Sequence, residues 1–153
     1  MLWLQLSREK KLVAKLLERL EDRPKDQQTI TRLANLLYEI GQYEEATKYF
    51  KRSVKLHSDM GETCTDSKVW IRLARASVVL WHLEGHKLYL KEAIRAFEQA
   101  LTFAEHRSNP KTLMELASAH YKMGSVQHTV TALGHVIIRF PQSPYKDDAV
   151  YAC

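Results

Sequence analysis

His82-Leu-Glu-Gly-His86 sets two imidazoles four residues apart, the spacing at which one helix could offer both to a metal ion. Gly85 falls between them at a natural helix break, and spacing assigns no third ligand. The pair therefore reads as two solvated histidines at a helix–helix turn. Glu44-Glu45 and Asp147-Asp148 are adjacent acids that could divide general acid and base roles. Both stand at the start of an expected helix, where the helix dipole favours carboxylates without any catalysis. Cys64 and Cys153 lie far apart and form no C-x-x-C, against a zinc or thioredoxin-type site. The chain contains no G-x-G-x-x-G, no G-x-x-x-x-G-K-S/T and no G-x-S-x-G. The expectation is a non-enzyme with no catalytic residues, no metal and no cofactor.

The elements that would carry these residues are nearly all helical. The 153 residues suit one domain with a real core. A 45% apolar and 27% charged composition is that of an ordinary globular protein, not a disordered one. Five Gly and four Pro are too few for the tight turns of an all-β domain. The apolar start, Met1 to Leu6, meets Ser7-Arg-Glu-Lys-Lys11 too soon to be a secretory signal, and no run is long enough for a membrane span. Two thiols without a framework fit a reducing compartment. The expected location is the cytoplasm, in soluble form.

Apolar periodicity predicts helices over 4–22, 28–40, 43–57, 68–83, 87–106, 111–123 and 126–140, with a last one beginning at Tyr145. Leu6, Val13, Leu16, Leu17 and Leu20 form the stripe of the first. Asp66 or Ser67 is the expected cap of the fourth, and Asn109-Pro110 starts the sixth as N-cap and first-turn proline. Gly41, Gly85 and Gly124 stop helices.

The helices repeat in pairs. A large residue precedes Leu-Ala by three and four positions in Ile30/Leu33/Ala34, Trp70/Leu73/Ala74 and Leu113/Leu116/Ala117. A small residue precedes a large one by four in Ala46/Phe50, Ala93/Phe97 and Thr129/Leu133. Small side chains let two helix backbones approach, and the large ones fill the space beside them. At these residues the chain resembles the tetratricopeptide repeat family, whose motif is W-x2-L-G-x2-Y…A-x3-F…P. Tyr38 to Ala46 looks like that family's turn and second-helix start. The third copy has Val126 and Thr129 where an aromatic and an alanine are usual, and the second departs most. From Ala34 to Ala46 is 12 residues, from Ala117 to Thr129 is 12, and from Ala74 to Ala93 is 19. Longer helices are expected around Trp81–Leu90.

The resemblance implies an all-α fold, a right-handed α-solenoid of antiparallel helix pairs. The expected divisions are an N-terminal helix or half-repeat at 1–26, three repeats at 27–60, 67–107 and 110–143, and a truncated helix at 144–153. The flanking segments look like halves of further repeats, as in a piece or short form of a longer array, with Trp3, Tyr145, Val150 and Tyr151 at raw ends.

In such families the first helix of each pair lines a concave face. Its positions free of packing include Arg32, Asn35 and Tyr38 in the first copy, Lys68, Arg72 and Arg75 in the second, and Lys111, Met114, Tyr121 and Lys122 in the third. Basic residues outnumber acids there, Glu39 and Glu115 being the only two, although the whole chain carries 23 basic and 18 acidic residues, a net of +5. The expected function is a scaffold or adaptor whose basic groove binds an acidic or C-terminal peptide segment of a protein partner. Arginine would take carboxylates, Asn35 the peptide backbone, and Tyr38, Met114 and Tyr121 apolar contacts. These charges also read as an ordinary solvated face. The family's co-chaperone branch clamps acidic tails with a five-residue set, of which Asn35 and Lys111 match while Thr31, Arg72 and Glu115 do not, so that partner is not expected. The alternatives are a subunit that assembles through its helical ends and an RNA-binding helical-repeat protein. A pI near 9.2 invites the latter, and the lack of any Lys/Arg-rich run argues against it.

Overall fold

A computed structural model describes residues 2–152. Cys153 and the side chain of Tyr151, both singled out above, lie outside the described residues. The described chain is all-α, with helices α1 (Leu2–Asp22), α2 (Gln27–Glu39), α3 (Tyr43–Asp59), α4 (Ser67–Glu84), α5 (Lys87–Ala100), α6 (Ala104–Arg107), α7 (Pro110–Met123), α8 (Val126–Arg139) and α9 (Tyr145–Ala152). No helix among the described residues is long and apolar enough to cross a membrane. The helices form two compact units that meet within α4, between Ala76 and Ser77.

In unit 1, α2 and α3 form the central pair and α1 packs against α2. Asp26 caps α2: its carboxylate accepts the Thr29 hydroxyl at 2.8 Å and the Thr29 amide at 3.5 Å, and ion-pairs with Arg19 at 3.2 Å. These donors, the Thr29 hydroxyl foremost, hold the carboxyl below its ordinary range. Ile30, Leu33, Ala34, Ala46 and Phe50 are completely buried, as the small-and-large pattern requires. Of the α1 stripe, Leu16 and Leu20 are buried, while Leu6 and Leu17 are exposed. The pair turns at Gly41, whose φ of +83° favours glycine, and the Gln42 amide donates to the Leu37 carbonyl at 2.8 Å. Asp66 caps α4 by accepting the Lys68 amide at 3.0 Å.

Unit 2 repeats this construction in α7 and α8, with α5 against α7 and α9 against α8. Asn109 caps α7 through the Lys111 amide, with Pro110 in the first turn. Gly124 has the same +83° φ, and the Ser125 amide returns to His120 as Gln42 does to Leu37. Leu113, Ala117, Ala132, Leu133, Val136 and Ala149 form a core on which Met114, Phe140 and Tyr145 pack.

Two sequence expectations meet different outcomes. The lengthening around Trp81–Leu90 is present. Helix α4 ends 10 residues beyond Ala74, where α2 ends 5 beyond Ala34; α5 starts 6 before Ala93, where α3 starts 3 before Ala46. The single helix expected over 87–106 is broken instead. Helix α5 stops at Ala100, and the amides of Thr102 and Phe103 turn back to the third carbonyl behind them. The Thr102 hydroxyl donates to the Gln99 carbonyl at 2.6 Å, a local bond that competes with helix continuation.

Candidate functional site

The polar face of α2 borders an open cavity of about 640 Å³ in unit 1. Gln28, Thr31, Arg32, Asn35 and Glu39 come from α2, spaced so that one face carries them all. Leu12 of α1, Ser53 and His57 of α3, and Cys64 and Asp66 of the following loop complete the walls. A polar web lies against them. Gln27 Nε2 donates to Ser53 Oγ at 2.5 Å, Thr31 Oγ1 lies 3.1 Å from the same hydroxyl, and His57 Nδ1 lies 3.0 Å from the Ser53 carbonyl. Gln27 Oε1 is buried there with no hydrogen-bond partner among the described residues, an unmet acceptor of the kind that native proteins keep scarce.

Arg72 reaches this face from α4. Its Nη1 donates to Asn35 Oδ1 at 3.0 Å and to Glu39 Oε1 at 3.2 Å. Its guanidinium carbon lies 4.9 Å from the Tyr38 ring centroid, within cation–π range. Tyr38 in turn meets Tyr43 and Phe50 edge-on at 5.5 and 6.4 Å. Asn35, Tyr38 and Arg72 are therefore brought together, with the arginine bonded to groups of its own chain. Arg32 is exposed beside the cavity, with no ion pair among the described residues. Lys68 is exposed in the first turn of α4, and Arg75 is half-buried farther along it.

In unit 2, Met114 and Tyr121 line a smaller cavity of about 360 Å³ with Ser118, Thr129, Leu133 and Ala152. Tyr121 is 73% exposed. Lys111 and Lys122 do not line it. Lys111 is exposed at the start of α7, and Lys122 Nζ lies 3.2 Å from His82 Nε2 and 5.2 Å from the Trp81 ring centroid. The His82/His86 spacing gathers no metal set: no group of three His, Cys, Asp or Glu side chains able to hold a metal occurs among the described residues.

Sequence reasoning missed the wall opposite α2. Ser53 continues the Ala46–Phe50 stripe three residues on, so a buried polar group was already indicated by spacing. The loop at Cys64 gave no such signal. It is tied down by its contacts: the Trp70 indole donates to the Cys64 carbonyl at 3.0 Å, and the Cys64 side chain is buried, which pushes its thiol pKa up.

This architecture has known counterparts. A family model described as tetratricopeptide repeat matches residues 28–58, which hold nearly all of α2 and α3. No curated protein matches the chain by sequence. Among solved structures it is similar to YrrB, described as a TPR protein with an unusual peptide-binding site, at a TM-score of 0.71 and 15% identity over 98% of this chain and 68% of that one. It is similar to MamA at 0.67 and 17% identity, covering 90% and 71%. It is also similar to a Podosopora anserina kinesin light chain with nearly identical TPR-like repeats, at 0.63 and 22% identity, covering 91% and 70%. Residues 28–58 thus match the tetratricopeptide repeat model, in a chain whose all-α fold, of the α-solenoid class, is shared with solved tetratricopeptide-repeat proteins.

Proposed function

We propose that the chain is a non-catalytic protein-binding module whose α2 face receives an extended segment bearing a carboxylate, either an acidic side chain or a C-terminus. The carrying observation is the open cavity along α2 with Arg32 exposed and unpaired at its edge. Asn35 supports the same reading. Its Oδ1 already accepts from Arg72, which leaves the amide Nδ2 to donate to a peptide carbonyl. Arg72 thereby acts as a positioning residue, and Arg32 supplies the charge, a planar fork suited to a carboxylate. In unit 2, Met114 and Tyr121 offer apolar contact in a comparable role. A peptide-binding site is ascribed to YrrB, a protein of similar fold. Cys64, a free and buried thiol, fits the reducing cytoplasm.

The test is fluorescence anisotropy with labelled Asp/Glu-rich peptides, with free or amidated C-termini, against the wild type, Arg32→Glu and Asn35→Ala. Arg32→Glu should weaken binding by about tenfold or more, since a like charge replaces the counter-charge. Equal affinity in all three proteins would dispose of the reading.

The exposed side chains of α1 favour a second use. Trp3 is 82% and Leu4 60% exposed, which fits a subunit that assembles through this helix. Sedimentation of the wild type against Trp3→Ser would register the loss of such self-association.

A further inference from the structure

A third cavity, of about 350 Å³, lies in unit 2 among α5, α6, α7 and α8, lined by residues distinct from those of the proposed peptide site. Helix α8 sends His128, Ala132, His135 and Arg139 to it at intervals of four, three and four, a single stripe. Arg107 of α6 and His120 of α7 add to the basic lining. Glu98 is its one carboxylate, and Leu101, Leu113, Leu116 and Ala132 supply apolar surface. Among the described residues no ion pair engages Arg107 or Arg139. Two permanent cations and three imidazoles thus surround a hollow that holds a single acid.

We propose that this cavity binds a phosphate monoester, with the phosphoryl group held by Arg107 and Arg139 and the organic body laid on Leu101, Leu113 and Leu116. Two guanidinium forks match a tetrahedral dianion in charge and hydrogen-bond geometry. The volume exceeds that of a bare phosphate and falls at the lower end of small-ligand sites. The apolar lining is of no use to a free anion, so the phosphate is one carried on an aromatic or aliphatic group.

Two of the imidazoles face each other in this wall. His120 and His128 stack with centroids 4.9 Å apart and planes 18° from parallel. Two imidazolium rings at that distance repel, and a dianion beside them offsets the repulsion. Glu98, the one carboxylate of the lining, opposes the ligand.

The test is calorimetric titration of the full chain with phenyl phosphate at about pH 7.5, where the ester is a dianion. Binding should be saturable. Arg107→Ala and Arg139→Ala should each weaken it by about tenfold, and Glu98→Gln should strengthen it. Both arginines are exposed, so their variants should keep the wild-type circular dichroism. Inorganic phosphate binding as tightly as phenyl phosphate would overturn the apolar part of the site. Equal binding of benzoate would overturn the phosphoryl assignment. Unchanged affinity in both arginine variants would overturn the location. A phosphotyrosine peptide that binds more tightly than phenyl phosphate would assign the carrier to a protein partner, and equal binding would assign it to a small ester; either supports the site.

Discussion

Arg72 Nη1 and Asn35 Oδ1 lie 3.0 Å apart, joining α4 to α2 across 37 residues of sequence. The same nitrogen meets Glu39 Oε1, and the guanidinium sits over Tyr38. One arginine therefore orients the asparagine, neutralises an acid and covers an aromatic ring. Arg72 is 18% exposed and Glu39 53%, so solvent screens the ion pair and the bond to Asn35 matters more. Arg72→Ala should lower stability by about 1.5–3 kcal/mol, the scale of a lost hydrogen bond from a charged donor. Urea denaturation should show the midpoint shifted at an unchanged slope. A double-mutant cycle with Asn35→Ala should recover a coupling energy, and strict additivity would show that the two residues act independently.

Ala46 and Ala93 are both completely buried on the second helices of their pairs. Leucine at either position has no room and should destabilise by about 1–3 kcal/mol through overpacking. Thermal unfolding of Ala46→Leu and Ala93→Leu reads this directly. Wild-type melting in both variants would mean that these helices do not approach closely at their alanines.

Asp26 links the α2 cap to pH. Its folded pKa is depressed, chiefly by the Thr29 hydroxyl bond, so its contribution is present above the unfolded value of about 3.9 and is lost as pH falls through the folded one. Asp26→Asn should therefore be less stable than wild type at neutral pH, with the gap closing in acid. Urea titrations from neutral pH to about pH 3 measure it. A gap that is constant with pH would separate the cap from its charge.

His120 is pushed below the ordinary 6.5, first by burial and then by His128, with Glu98 pulling the other way. Its folded form stays neutral while the unfolded chain takes up a proton. Stability is thus full above about pH 6.5 and falls as the pH drops from there toward the folded pKa. His128→Ala removes one of the two lowering influences and should raise the His120 midpoint, read from the imidazole resonances by NMR. An unmoved midpoint would leave burial as the sole cause.

Most of the helices, the caps at Asp66 and Asn109 and the helix order were legible in the sequence because each depends on neighbours a few residues away. Asp66 and Asn109 sit two residues from the amides they cap, whereas the Asp26 cap of α2 emerged only from the structure. At Gly41 and Gly124 helices end where the next residue's amide, Gln42 or Ser125, bonds a carbonyl five residues back. The alanines of the repeat mark helix contacts by type alone. The end of α5 was not legible, because at Thr102 a single side-chain bond competes with an otherwise helical pattern.

The candidate site divides in the same way. Helical periodicity places Arg32 and Asn35 on one face of α2, and sequence alone determined that much. Whether a cation there is free or already partnered depends on groups far along the chain. Arg32 of α2 and Arg72 of α4 are the same residue type, each two residues before an Ala of a buried Leu-Ala pair, yet Arg72 is bonded across 37 and 33 residues while Arg32 faces solvent. Only the tertiary structure decides such pairings, because Coulomb and hydrogen-bond energies depend on distance in space and not on distance in sequence. The same reason explains why the His128–Arg139 stripe became a cavity wall only once α6 and α7 had brought Arg107 and His120 to it.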